Sequence, residues 1–301
     1  MSTVTVPDVP EVAPDAGERP TDGRARRRTT VVWFVLLLVG LVAVWEAYKV
    51  AGKAVVDVVP LPVRPDDTTM PHVWDMVGVL FTRRTPSESI MLVVLLRESL
   101  FTFREAVIGF GFGTTVGFGL AVLFTRSRLV ERGLMPYVVA SQTVPLIAIA
   151  PIVVIWGSKI GWPVWISVSL ISAYLVFFPV TINTLRGLRS PDPTVIELMR
   201  SYAATENEVL RKVRIPAALP FIFSALKISA TASVVGALVG ELPSSLNRGL
   251  GRAILSYMYT FITGPEKLYA AILIAALLSM IFVGVISGTE HFVLRNRRST
   301  A

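Results

Sequence analysis

Long apolar runs alternate with short basic segments along this chain, and most of the runs approach the roughly 20 residues a helix needs to cross a hydrocarbon core. The first covers residues 31–50. A second covers residues 106–124 and carries Gly109, Gly111, Gly113, Gly117 and Gly119, which cost helix propensity in water but let another helix approach closely in a bilayer. The third, residues 133–156, contains Pro136, Pro145 and Pro151. Proline removes a donor and clashes with the preceding turn, so a bend or local unwinding is expected within residues 142–150. Residues 162–184, 217–242 and 268–287 supply three more runs. The pattern predicts an all-α transmembrane fold of six spans.

The polar stretches between the runs set the organisation. Residues 1–30 combine Pro, Gly, Ser, Thr and acidic residues with Arg24, Arg26, Arg27 and Arg28, and read as a flexible tail that builds no core. Residues 51–103 form a long connection with short helices; its apolar stretch 90–96, bounded by Glu88, Arg97 and Glu98, is too short to span and predicts an interfacial or packed helix. A core domain over residues 104–290 follows, with a polar insert at 190–216, and residues 291–301 form a basic tail. Arg126, Arg128 and Arg132, the group from Arg186 to Arg214, and Arg295, Arg297 and Arg298 all fall on one side of a six-span chain. The excess of arginine on the cytoplasmic side of membrane proteins then places both termini in the cytoplasm, the 51–103 connection outside, and the chain in a plasma membrane. A seventh span would invert the later basic loops.

Composition narrows the function classes. Apolar residues make up 53% of the chain and charged residues 17%, too few charges to cover a soluble globule, so membrane lipid is the expected surroundings. The net charge of +8 resembles a nucleic-acid footprint, but its confinement to short segments beside spans argues against nucleic acid as a partner. With no cysteine, thiolate metal sites and cysteine nucleophiles are excluded, and His72 and His291 stand too far apart in the sequence to suggest a metal cluster. No Gly-rich loop ending in Gly-Lys-Ser/Thr occurs, so no ATP, and no other cofactor, is expected on this chain. It reads as non-catalytic.

The insert at 190–216 carries the sharpest functional signal. Val195, Leu198, Met199 and Tyr202, then Val209, Leu210 and Val213, recur at helical spacing and predict two short amphipathic helices joined within 203–207, with Pro216 at the entrance to the fifth span. An amphipathic insert needs a surface to dock against. Its spacing resembles the signature loop of the inner-membrane permeases of binding-protein-dependent ABC importers, with Glu197 in the acidic position, Ala203 in the glycine position, Val213 in the isoleucine position and Ile215-Pro216 at the end. The resemblance implies a type I importer fold and a coupling helix that sits on a separate cytoplasmic P-loop ATPase, where ATP would be held. Glu197, Ala203, Ala204, Thr205, Val213 and Pro216 are the residues it assigns to that coupling. It also implies a second copy of this permease or a related one, and an extracytoplasmic substrate-binding protein.

Ser141, Gln142, Thr143 and Pro145 form the second constellation, polar side chains in hydrocarbon that need a helix contact or a translocation path. This run resembles a motif of permeases for sulfonates, taurine, nitrate and pyrimidine-type precursors, and implies a small polar solute, with a nitrogen-containing ring favoured. Glu241 is assigned either to the path or to a solvated helix end. Lys227, about 15 Å into the fifth span by helical rise, is expected to snorkel along neighbouring helices in a structural role. Trp45, Trp156, Trp162 and Trp165 read as aromatic anchors near span ends. The alternatives are a sulfonate, taurine or nitrate permease and, in another class, an ion-driven secondary transporter, for which the spans offer almost no acidic cluster.

Overall fold

A computed structural model describes residues 23–55, 63–83, 89–244 and 248–298. Of the flexible tail expected over residues 1–30, residues 1–22 lie outside the described residues while 23–30 begin a helix, and the last three residues of the basic tail and Arg84 of the 51–103 connection lie outside them too. The chain divides into two units between Asp66 and Asp67. In the first, one helix, α1 (Gly23–Val55), contains the apolar stretch Val32–Ala54. From within this helix Tyr48 donates a hydrogen bond to the carbonyl of Val63 beyond its end.

The second unit is a bundle of ten helical segments: α2 (Val73–Gly78), α3 (Met91–Arg126), α4 (Arg128–Ala140), α5 (Leu146–Lys159), α6 (Val164–Leu188), α7 (Pro193–Ser201), α8 (Glu206–Val209), α9 (Ile215–Glu241), α10 (Leu250–Tyr259) and α11 (Pro265–Arg298). No sheet is present among the described residues, where pairing is limited to one bridge between Arg83 and Ile90. Among the described residues five helices are long and apolar enough to cross a membrane, and α4 with α5 makes a sixth crossing if the bent pair counts as one. The chain is thus an all-α, multi-pass membrane protein.

One expectation needs correcting. The second span does not start near residue 106: α3 begins at Met91, and the stretch read as a separate interfacial helix is its first turns. At 36 residues α3 is about 54 Å long, well beyond a hydrocarbon core of about 30 Å. Three of its charges have partners or shelter, while Arg97 stays exposed. Glu98 and Glu105 turn toward the bundle, and Arg104 lies 5.3 Å from the ring centre of Trp165 on α6.

The centre of the bundle is α3 against α6 and α6 against α9. Gly109, Gly113 and Gly117 recur every fourth residue on the α3 face that meets α6; a Cβ at Gly113 would lie 2.6 Å from the Ala173 carbonyl oxygen. Gly111 and Gly119 point elsewhere, with nothing near them. Around this contact Ala106, Val168, Ala230, Val234 and Phe282 bring α3, α6, α9 and α11 together. At one end α2 and its following turn, through Val79 and Leu80, cover Leu95, Leu250 and Ile274. At the other end Phe124, Leu188 and Leu210 close α3 and α6 over the turn that leads into α9.

Candidate functional site

Polar residues concentrate in three places: the α4–α5 break, the segment around α7, and a junction of α3, α9 and α10. The break comes from proline chemistry. Ser141, Gln142 and Thr143 make a single 3-10 turn, Pro145 has no amide hydrogen to extend α4, and α5 starts afresh at Leu146 at 101° to α4. The expected bend is here, and it is a full interruption. Hydroxyls take up freed carbonyls: Ser141 donates to Val138 O at 2.7 Å and Thr143 to Ala140 O at 2.8 Å. The Tyr174 hydroxyl on α6 donates to the Ser141 carbonyl. Gln142 is exposed and makes no hydrogen bond with described residues. Beside the break is an apolar cavity of about 340 Å³, walled by Phe112, Leu146, Val153, Tyr174 and Phe177.

The insert folds as its pattern predicts, into two short helices with a sharp turn. Asp192 caps α7 by accepting from Thr194 N at 2.8 Å, and that bond holds its carboxyl below the usual carboxylate range. At the far end Ala203 adopts φ +54°, the left-handed conformation that glycine takes most easily, while its amide and that of Ala204 close on the carbonyls of Arg200 and Met199. Thr205 caps α8 in a reciprocal box with Glu208. One π-turn over Leu210–Arg214, which includes Val213, then joins α9, whose second residue is Pro216. Arg126 at the end of α3 donates to Asn207 at 2.5 Å, and Arg189 at the end of α6 grips Glu131 of α4 through bonds of 2.8 and 2.5 Å.

The orientation of α7 is unusual for a helix at a protein surface. Val195, Leu198 and Tyr202 point outward, with Leu198 55% and Tyr202 78% exposed. Pro193, Ile196, Glu197 and Arg200, on the opposite side at helical spacing, face a cavity shared with α4. A lone surface helix buries its apolar side. On α7 no residue is buried, Arg200 is itself 64% exposed, and the apolar side chains stand open.

Glu241 is neither at a solvated helix end nor open to a path; it is 0% exposed. One oxygen accepts from the Thr102 hydroxyl and the other from Gly251 N, both at 2.6 Å, while the Thr102 oxygen accepts from Leu250 N at 2.8 Å and Glu98 accepts from Gly249 N at 2.5 Å. Gly249, at φ +102°, has no room for a Cβ, which would land on the Glu241 carboxyl. These bonds satisfy the first amides of α10. Glu105, also buried, lies beside Glu241. Ser141 and Glu241 are not brought together. Their neighbours on α6 are Tyr174 and, through Gly240, Val168, which differ by about 9 Å in helical rise.

Lys227 is paired rather than merely snorkelling, with Nζ 2.8 Å from Glu290 on α11. Sequence reasoning missed Glu290, α10 and the Glu98–Thr102–Glu105 face of α3. The signal for that face was present as i, i+4, i+7 spacing of polar residues, but the span was started too late to include it.

A family model described as binding-protein-dependent transport system inner membrane component matches residues 113–292. A formylaminopyrimidine transport permease, ThiX, of Halalkalibacterium halodurans is 33% identical over 236 residues, covering 75% of this chain and 92% of that protein. The putative aliphatic sulfonates transport permease SsuC of Bacillus subtilis is 27% identical, covering 88% of this chain and 87% of that one. Among solved structures, a chain of the MetNI methionine ABC transporter in an inward-facing conformation is 20% identical with a TM-score of 0.56, over 69% of this chain and 98% of that chain. An amino acid ABC transporter solved with histidines gives a TM-score of 0.55 at 18% identity, over 66% and 94%.

Proposed function

Since the chain belongs to the family of binding-protein-dependent transport system inner membrane components, we propose that it is the permease of an ATP-driven importer whose α7 docks on a cytoplasmic P-loop ATPase. The observation that carries this is the open apolar side of α7, with Val195, Leu198 and Tyr202 facing out. Burying three such side chains is worth several times the roughly 1.5–3 kcal/mol of one, enough to hold a partner. The turn at Ala203, Ala204 and Thr205 and the continuous run through Val213 and Pro216 would carry the partner's movement into α9. Glu197, on the other side of α7, would brace it against α4. Docking puts α7 and the arginine-rich end in the cytoplasm and the α10 end outside, where a substrate-binding protein delivers solute. A second copy or a related permease completes the path.

Within that reading, the α4–α5 break lines the path through Ser141, Gln142, Thr143 and Pro145, and Glu241 closes the outer end as a clamp. The solute is a small polar compound, and a nitrogen-containing ring is favoured over a sulfonate. Support comes from the aromatic walls of Phe112, Tyr174 and Phe177 beside the break and from the formylaminopyrimidine permease among its relatives.

The test is Leu198→Glu, reconstituted with the ATPase. A charge placed in an apolar contact is expected to lower solute-stimulated ATP hydrolysis by roughly tenfold or more, because even 1.4 kcal/mol of lost docking gives that factor. The elution profile of the permease alone should not change. Full coupling in this variant would remove α7 as the docking element.

A further inference from the structure

We propose that the cavity between α4 and α7 is a binding site for a phosphate-bearing anion, independent of the docking reading above. The cavity measures about 1530 Å³ and its wall carries Arg126, Arg128, Arg132, Arg189, Arg200 and Arg214. Three carboxylates share it, Glu131, Glu197 and Glu206. Two of these are already engaged: Glu131 by both nitrogens of Arg189, and Glu206 by Arg200 at 3.6 Å. That leaves four arginines against one carboxylate, Glu197.

A second observation points to a ligand. The Nε of Arg214 is buried and has no hydrogen-bond partner among the described residues. Burying a guanidinium N–H without an acceptor is costly, and the same side chain lines the cavity. Arg214 enters from the turn before α9, Arg128 and Arg132 from the first turns of α4, and Arg126 from the end of α3. A wall that carries Arg128, Arg132 and Arg214 suits a tetrahedral group with several acceptor oxygens better than a planar carboxylate, which one fork satisfies. The N-terminus of α4, capped by Ser127, adds partial positive charge at the same place.

Such an anion would tie α4, and with it the Ser141–Thr143 turn, to α7 on the side opposite its exposed apolar face. Phosphate of this kind has two sources, a phospholipid headgroup and a free phosphorylated compound. Beside the arginines α4 presents Leu129 and Tyr137 outward, as a helix bordering acyl chains would.

The experiment uses the purified full-length chain in two kinds of nanodisc. In phosphatidylcholine alone, inorganic pyrophosphate is titrated calorimetrically; in mixed phosphatidylcholine and phosphatidylglycerol, native mass spectrometry reads which lipid stays bound. Saturable pyrophosphate binding that weakens with salt supports the site and assigns a free phosphate; selective retention of phosphatidylglycerol without pyrophosphate binding supports it and assigns a headgroup. In either case Arg132→Gln with Arg214→Gln should weaken the binding by roughly tenfold or more, since two charge-assisted bonds are lost. Arg97→Gln, on the exposed face of α3 away from the cavity, should change nothing. No binding of either probe, or equal binding by the double variant, overturns the proposal. If the double variant does not fold, phenylglyoxal labelling of the unaltered chain decides. Arg128, Arg132 and Arg214 should be protected by the bound probe, and labelling at an unchanged rate overturns the site.

Discussion

The junction around Glu241 and the region running from the α4–α5 break to α7 are both polar interruptions in an apolar bundle, and they solve opposite problems. At the junction the Glu241 oxygens, the Thr102 hydroxyl and the amides of residues 249–251 bond with one another or with Glu98 inside the protein. At the break and α7, Gln142 is exposed without a partner and Leu198 and Tyr202 face outward. Each region also holds a residue with positive φ. In the closed junction it is Gly249, where no side chain fits; in the open region it is Ala203, where one is tolerated. A polar residue in a span therefore has no function that follows from its type alone. What separates a structural fastener from a working surface is whether its bonds close within the chain.

The largest expected effect falls on the closed region. Glu241→Ala leaves the Gly251 amide buried without an acceptor and the Thr102 hydroxyl with only the Glu98 carbonyl at 3.2 Å, a cost of roughly 2 kcal/mol or more. The variant should show a clearly lower unfolding temperature in detergent and a poor yield of dispersed protein. Unaltered thermal stability would mean that the junction does not hold α3, α9 and α10 together.

The open region should respond in the reverse way. Gln142→Leu removes an amide that nothing in the chain uses, so stability should stay within about 0.5 kcal/mol. If the amide faces solute, losing one hydrogen bond worth about 1 kcal/mol should lower uptake by roughly fivefold in vesicles at equal ATPase assembly. Unchanged uptake would defeat the path assignment. A large loss of stability would instead make Gln142 a fastener between subunits and erase the contrast with Glu241.

How much of this the sequence disclosed depends on the range over which each feature is determined. Spans and break are local: apolar runs of about 20 residues and the prolines at 145 and 151 mark them directly. The two helices of the insert are local too, through the spacing of Val195, Leu198 and Tyr202 and of Val209, Leu210 and Val213. The Glu241 junction joins residues 139 positions apart in Thr102 and Glu241, and the Lys227–Glu290 pair joins residues 63 apart. No periodicity within one helix reports such partners. The charges on α3 also misled, because Arg97 and Glu98 look like the edge of an apolar stretch until Glu98 is seen to accept from Gly249 N. For α10, the apolar spacing of Leu250, Ile254 and Tyr257 was readable, and those residues pack in the cluster with α11.

The smallest effect tests whether the open region holds strain that the closed one has removed. Ala203 sits at φ +54°, where an L side chain costs on the order of 1 kcal/mol, whereas the family's pattern has glycine at the matching place. Ala203→Gly relieves that cost, but it also gives the unfolded chain more freedom, which takes back part of the gain. The net gain should be about 0.5 kcal/mol, too little to move global unfolding and large enough to be seen locally. The amide of Ala204, which donates to the Met199 carbonyl at 3.0 Å, is the reporter. Its hydrogen exchange should slow by roughly twofold in Ala203→Gly and quicken in Ala203→Val, because a β-branched side chain fits the left-handed region worst. Solute-stimulated ATP hydrolysis should follow the same order if the turn transmits movement from α7 to α9. Equal exchange in all three proteins would show that the turn carries no strain at Ala203, and the difference drawn between it and Gly249 would then rest on space alone.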